Sequence, residues 1–139
     1  MFNNVAVPAV KGTEGLWLKI DNGNQVEEAI RTLRRTAPAN GTNMYSAFQV
    51  IRDMNPRPDN VILLVDSMPT MDAATSTKTS IGPGERLNLF SAAVQLIPSG
   101  IPINIMLYPM EGDARASISL WALALKTRGS FMSVSRDWP

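Results

Sequence analysis

The sequence predicts a three-layer α/β/α sandwich, with a mostly parallel sheet of Rossmann type and an antiparallel hairpin at one edge. Three observations predict it. The run Val61-Ile62-Leu63-Leu64-Val65 is apolar throughout and ends in Asp66, the pattern of a parallel strand covered on both faces. From Asn60 to Val134 strand-like and helix-like segments alternate, which implies crossover connections and a parallel sheet. Near the start, two short apolar runs flank a turn-rich stretch, as in a hairpin. The chain of 139 residues, 45% hydrophobic and 18% charged, suits a single domain over 1–139 with one core.

Each element has its own signal. Val5–Val7 and Leu16–Ile20 read as the hairpin strands, joined through Lys11-Gly12-Thr13-Glu14-Gly15 and closed by Asn22-Gly23. Val26, Ala29, Ile30 and Leu33 recur at helical spacing, and Pro38 ends that helix. Gly41-Thr42-Asn43 is a polar turn in which Thr42 or Asn43 caps a second helix, with Ala47, Phe48, Ile51 and Met54 on one face. Pro56 and Pro58 stop it. After the Asn60–Asp66 strand, residues 67–84 form a long loop rich in Ser, Thr, Pro and Gly. Glu85–Ile97 follows as a helix with Leu87, Phe90, Val94 and Ile97 inward, then a strand over Ile101–Tyr108. A further helix begins at Asp113, its N-cap, with Ile118, Trp121, Ala122 and Leu125 as the core stripe and Gly129 as C-cap. Ser130–Val134 is the last strand.

Absent residue types bound the chemistry. The chain has no Cys and no His, which removes thiolate nucleophiles, disulfides, the commonest general base and the usual transition-metal ligands. A metal site must be built from oxygen, which favours Mg²⁺ or another hard divalent cation. No Ser or Thr has a His base, so nucleophilic catalysis has no candidate, and a non-enzyme is expected. The net charge of +1 recruits neither nucleic acid nor an anionic membrane. No apolar run spans a bilayer and the start lacks a signal pattern, so a cytoplasmic location is expected.

Three segments carry a resemblance to a known family. Gly41-Thr42-Asn43-Met44-Tyr45-Ser46-Ala47, Val61-Ile62-Leu63-Leu64-Val65-Asp66-Ser67-Met68-Pro69-Thr70 and Leu123-Ala124-Leu125-Lys126-Thr127-Arg128-Gly129-Ser130-Phe131 resemble, in order and spacing, parts of the von Willebrand factor A-type domain. The resemblance implies a vWA-like fold lacking its first strand and first helix, with Met1 falling inside the second strand. In that family a metal-ion-dependent adhesion site at the carboxyl ends of the strands receives a carboxylate from a protein partner. The resemblance gives the metal-ligand roles to Thr42 and Asp66, with Asn43, Ser67, Asp72 and Glu111 as partner-binding neighbours. The Asp-x-Ser-x-Ser turn of the family is missing here, and Ser67 stands where Gly is common after the Asp. An incomplete site, binding Mg²⁺ or another divalent cation weakly, follows. The function implied is noncatalytic protein–protein interaction.

Two alternatives stay open. The Asp66–Asp72 segment also resembles the phosphoacceptor region of receiver domains, which implies signalling through phosphorylation at Asp66, although the family's acidic pair and Lys-Pro are missing. The other is a structural fragment with no surviving site. On the vWA resemblance, the lost first strand leaves Val61–Val65 with an unpaired apolar edge. The hairpin, a second copy, another protein or an upstream segment would fill it, and a homodimer completing the sheet is favoured.

Overall fold

The computed structural model describes residues 1–20, 23–37, 39, 41–72, 81–108 and 113–134. These form helices α1 (Asn24–Arg35), α2 (Met44–Asp53), α3 (Pro83–Val94) and α4 (Ala114–Thr127), and strands β1 (Val61–Val65), β2 (Ile103–Leu107) and β3 (Phe131–Ser133). The strands make one parallel sheet in the order β1-β2-β3. No described helix is long and apolar enough to cross a membrane.

The pairing dictates the layers. Val61 lies opposite Ile103 and Val65 opposite Leu107, so odd-numbered residues of β1 and β2 share a face. That face is the core: Leu63, Val65, Ile103, Ile105 and Leu107 pack with Met44 and Phe48 of α2, Phe90 and Ala93 of α3, and Leu120, Leu123 and Ala124 of α4. Right-handed crossovers that advance across the sheet in one direction put their helices on one side. The packing of both α3 and α4 on the covered face agrees with this rule.

The expected third layer is missing among the described residues. Ile62 is 65% exposed and Leu64 57%, so the β1 run is not covered on both faces. Met132 on the same open face is also exposed. An all-apolar strand is compatible with either arrangement, because a second covered face depends on what packs there. Helix α1 is strongly amphipathic by sequence, yet buries no residue. Its stripe of Val26, Ile30 and Leu33 is exposed.

The hairpin does not form either. Among the described residues, Val5–Val7 and Leu16–Ile20 contain no strand, and one isolated antiparallel bridge joins Phe2 to Ala6. Local turns take the backbone hydrogen bonds, with Thr13 N–H donating to Val10 O and Leu16 N–H to Thr13 O. Trp17 is half-exposed and its indole N–H donates to Pro56 O at 2.9 Å. Trp138 lies outside the described residues.

Helix α4 is rotated from its expected setting. Ile118, Trp121 and Leu125 are exposed, while Ala116, Leu120, Leu123 and Ala124 are buried. Both stripes are apolar, so periodicity could not choose between them. The smaller side chains of the second stripe let the helix approach the sheet closely. In α3, Leu87 is likewise more exposed than expected, and Ala93 joins Phe90 in the core.

The close approach is sharpest just after α4. The left-handed C-cap residue is Arg128 (φ 60°), not Gly129. Gly129 is needed for another reason: a Cβ there would fall on the backbone carbonyl of Ile103. Thr127 supports the same junction, its hydroxyl accepting from Ile103 N–H at 3.1 Å. Gly129→Ala must displace β2 and is expected to destabilise the fold by about 3 kcal/mol or more. Gly84→Ala in α3, with open space around the site, should be neutral or stabilising by up to about 1 kcal/mol. Urea denaturation of the two variants checks the contrast; equal stabilities would refute it.

Candidate functional site

The carboxyl ends of β1 and β2 point to one rim, where an open α/β sheet presents ligand-binding groups. Four segments meet there. The Gly41–Asn43 turn leads into α2, residues 66–72 leave β1, Arg86 lies in the first turns of α3, and Asp113 precedes α4.

Turn and loop are joined by backbone pairing. Thr70 N–H donates to Thr42 O at 2.9 Å, and Thr42 N–H donates to Thr70 Oγ1 at 2.9 Å. Met71 N–H shares the same Thr42 carbonyl. A Cβ on Gly41 would lie 2.9 Å from Thr70 Oγ1 and closer still to Met71 Sδ, so a side chain there would have to displace the Met71 and Thr70 side chains. Thr42 is thus joined to the loop that follows Asp66, at Thr70, four residues beyond that aspartate.

Asn43 organises the rim from beneath. It is buried and caps α2, its Oδ1 accepting from Ser46 N–H at 3.0 Å. Its Nδ2 donates to the carbonyls of Asn4 and Asp72, each at 2.8 Å. One amide thus ties the N-terminal segment, the turn and the end of the β1 loop together. Expected as a partner-binding residue, Asn43 has these polar atoms committed internally.

Ser67 is buried too, and its hydroxyl donates to Asp66 Oδ1 at 3.1 Å. Asp66 and Asp72 are exposed on the rim. Glu111 lies outside the described residues.

A clasp not anticipated from sequence closes the far side. Asp113 precedes α4 but makes no capping hydrogen bond with its side chain. Its Oδ2 instead accepts from Met68 N–H at 2.7 Å and pairs with Arg86 at 2.8 Å. Arg86 also donates to Met68 O at 2.6 Å and to Pro69 O at 3.4 Å. The guanidinium and carboxylate are mostly shielded from solvent, and together they bracket the Met68–Pro69 backbone, Asp113 at the Met68 N–H and Arg86 at the two carbonyls. Met68 and Pro69 are in turn fully buried. A lone Arg in a helix start and a lone Asp before another helix carry no sequence mark of this pairing, because they are 27 residues apart (113 minus 86).

The donor set is poor for a cation. Hard divalent ions take about six oxygens, with carboxylates offsetting dehydration. Among the described residues no group of three or more acidic side chains is placed to hold a metal. The Asp113 carboxylate is consumed by Arg86 and the Met68 amide. Among the described residues Thr42 and Asp66 together supply one hydroxyl and one carboxylate, two of the about six oxygens such an ion takes. Among the described residues Asp66 is in no ion pair, and Arg86 is committed to the clasp.

A cavity of about 680 Å³ opens at the opposite, amino rim, between the C-terminal ends of α3 and α4. Lys126 and Arg128 line it, with no acidic group. It contains no acid–base pair and lies away from all the residues above. No protein-family model, curated protein or solved structure matches the chain.

Two substitutions probe the rim's construction. Asn43→Asp preserves an equally good helix cap but sets a buried carboxylate against the Asn4 and Asp72 carbonyls. It should cost about 2 kcal/mol or more in denaturant midpoint analysis. Arg86→Met should cost about 3 kcal/mol, because it strands a shielded carboxylate. It should also speed amide hydrogen exchange at Met68. Unchanged exchange there would show that the clasp does not hold the loop.

Proposed function

We propose that the chain is a noncatalytic protein-interaction module of vWA-like type that binds its partner through the carboxyl rim. The observation that carries this reading is the meeting of the Thr42 turn with the loop after Asp66. The two segments share backbone hydrogen bonds at Thr70, and Asn43 and the Arg86–Asp113 pair hold the assembly from both sides. A rim built this way presents fixed backbone and exposed carboxylates at little ordering cost on binding. Asp66 and Asp72, with Thr42 between the two segments, form the contact surface. The exposed carboxylates favour a partner surface bearing Lys or Arg.

The vWA resemblance supplies the fold-level support for this reading, and that support is an analogy. The family's metal-bridged recognition is not part of the proposal, since the donor set here falls short. A vWA-type three-layer sandwich would also need a helical layer over Ile62, Leu64 and Met132. Helix α1 is the element of this chain with an unused apolar stripe for that position.

The test is affinity capture and cross-linking with the full chain as bait. Wild type is compared with Asp66→Ala/Asp72→Ala at the carboxyl rim and with Lys126→Ala/Arg128→Ala at the amino rim. The expected result is loss of a specific partner, at least tenfold, in the first variant only. That capture should be unchanged by EDTA or added Mg²⁺ and should weaken at high salt. Equal capture by all three proteins would remove the rim from consideration. Loss on chelation would restore the metal.

A further inference from the structure

The edge of β1 is open, and its geometry is self-complementary. Val61 N–H donates to Pro102 O at 3.0 Å, and Tyr108 N–H donates to Val65 O at 2.8 Å. In a parallel ladder alternate residues bond to a given neighbour. Val61, Leu63 and Val65 therefore turn their backbone groups to β2, while Ile62 and Leu64 turn theirs to the free edge. No strand pairs with that edge among the described residues. The run Val61–Val65 carries no charge and no Pro, the usual devices that protect an edge.

We propose that β1 pairs antiparallel with β1 of a second copy, about a twofold axis at Leu63. The outward backbone groups set the register. In an antiparallel pair, residues that exchange both hydrogen bonds stand opposite one another with outward-facing N–H and C=O. Ile62 then lies opposite Leu64 of the second copy, and the reverse. Leu63 faces its own copy as a non-hydrogen-bonded pair. The arrangement is isologous, as a closed dimer requires.

The flanking residues match in this register. Asn60 falls opposite Asp66 of the second copy, twice by symmetry. Asn60 Oδ1 already accepts from Asn104 Nδ2 at 2.6 Å, so its own amide N–H group is the one presented to a partner. The exposed Asp66 carboxylate has Oδ1 engaged by Ser67 and a second oxygen to accept. No like charges face each other anywhere along the strand. An isolated apolar edge would be satisfied by many strands; these polar ends select a second copy in one register.

The result is a six-stranded sheet with order β3-β2-β1-β1-β2-β3. On its open face, Ile62 and Leu64 from both chains form one apolar patch at the dyad. Asp66 is common to this interface and to the rim, but the variants that test the interface lie at Ile62 and Leu64 and leave Thr42, Asp66, Thr70 and Asp72 untouched.

Light scattering coupled to gel filtration on the full chain tests it. Wild type should elute with a mass twice that of the 15.2 kDa chain. The double variant Ile62→Lys/Leu64→Lys places like charges opposite each other, on side chains that are exposed in the single chain, and should halve the mass with the circular dichroism unchanged. Ile62→Glu/Leu64→Glu should do the same. An equimolar mixture of the two variants should recover the dimer mass as a heterodimer. A folded wild-type monomer overturns the proposal. So does a dimer that persists in either variant alone, or folded monomeric variants that fail to pair on mixing. If a variant does not fold, cross-linking wild type carrying Ile62→Cys against wild type carrying Leu64→Cys reads the register in a chain otherwise free of cysteine; absence of the mixed disulfide overturns it.

Discussion

The parallel pairing of Val61–Val65 with Ile103–Leu107 is the constraint from which the rest of the architecture follows. A parallel pair cannot be joined by a tight turn, so the chain must leave the sheet and return. Such returns are right-handed as a rule, and β3 extends the sheet in the same direction. Helices α3 and α4 are thereby confined to one face. The same pairing puts the loops after β1 and β2 at a common rim, and the starts of α3 and α4 with them. Arg86 and Asp113 can then meet across that rim despite their separation in sequence.

The rim is polar but internally satisfied. Burying an amide, a carboxylate or a guanidinium without partners is expensive, and here each has several. Asn43 uses both ends of its amide, Asp113 uses one oxygen for an amide and an arginine, and Arg86 spans two carbonyls as well. Among the described residues no buried side-chain polar atom is left without a hydrogen bond. These groups shape the backbone of the rim, on which Asp66 and Asp72 are exposed.

The opposite situation holds at β1. Its free edge and open face leave apolar surface and backbone groups uncovered, and helices α1 and α4 each expose an apolar stripe. The chain is saturated at its rim and unsaturated along its edge, so the two surfaces suit different kinds of contact: a polar, salt-sensitive one and a backbone-paired, apolar one.

Sequence by itself determined the α/β class, the order of helices α1 to α4 and the three parallel strands. Hydrophobic runs, prolines and cap residues are local signals, so the Asp66 strand end was legible and the α2 cap was narrowed to Thr42 or Asn43, of which the structure uses Asn43. Tertiary structure alone decided which stripe of α4 faces the sheet, since Trp121 and Leu120 both belong to apolar faces and only packing buries one of them. It also decided the fate of Val5–Val7 and Leu16–Ile20: a strand needs a partner, and these segments satisfy their backbone through turns instead. The Arg86–Asp113 clasp was invisible for a related reason. Charge complementarity between distant residues has no periodicity, and it becomes a structure only when parallel pairing brings two helix starts to one edge.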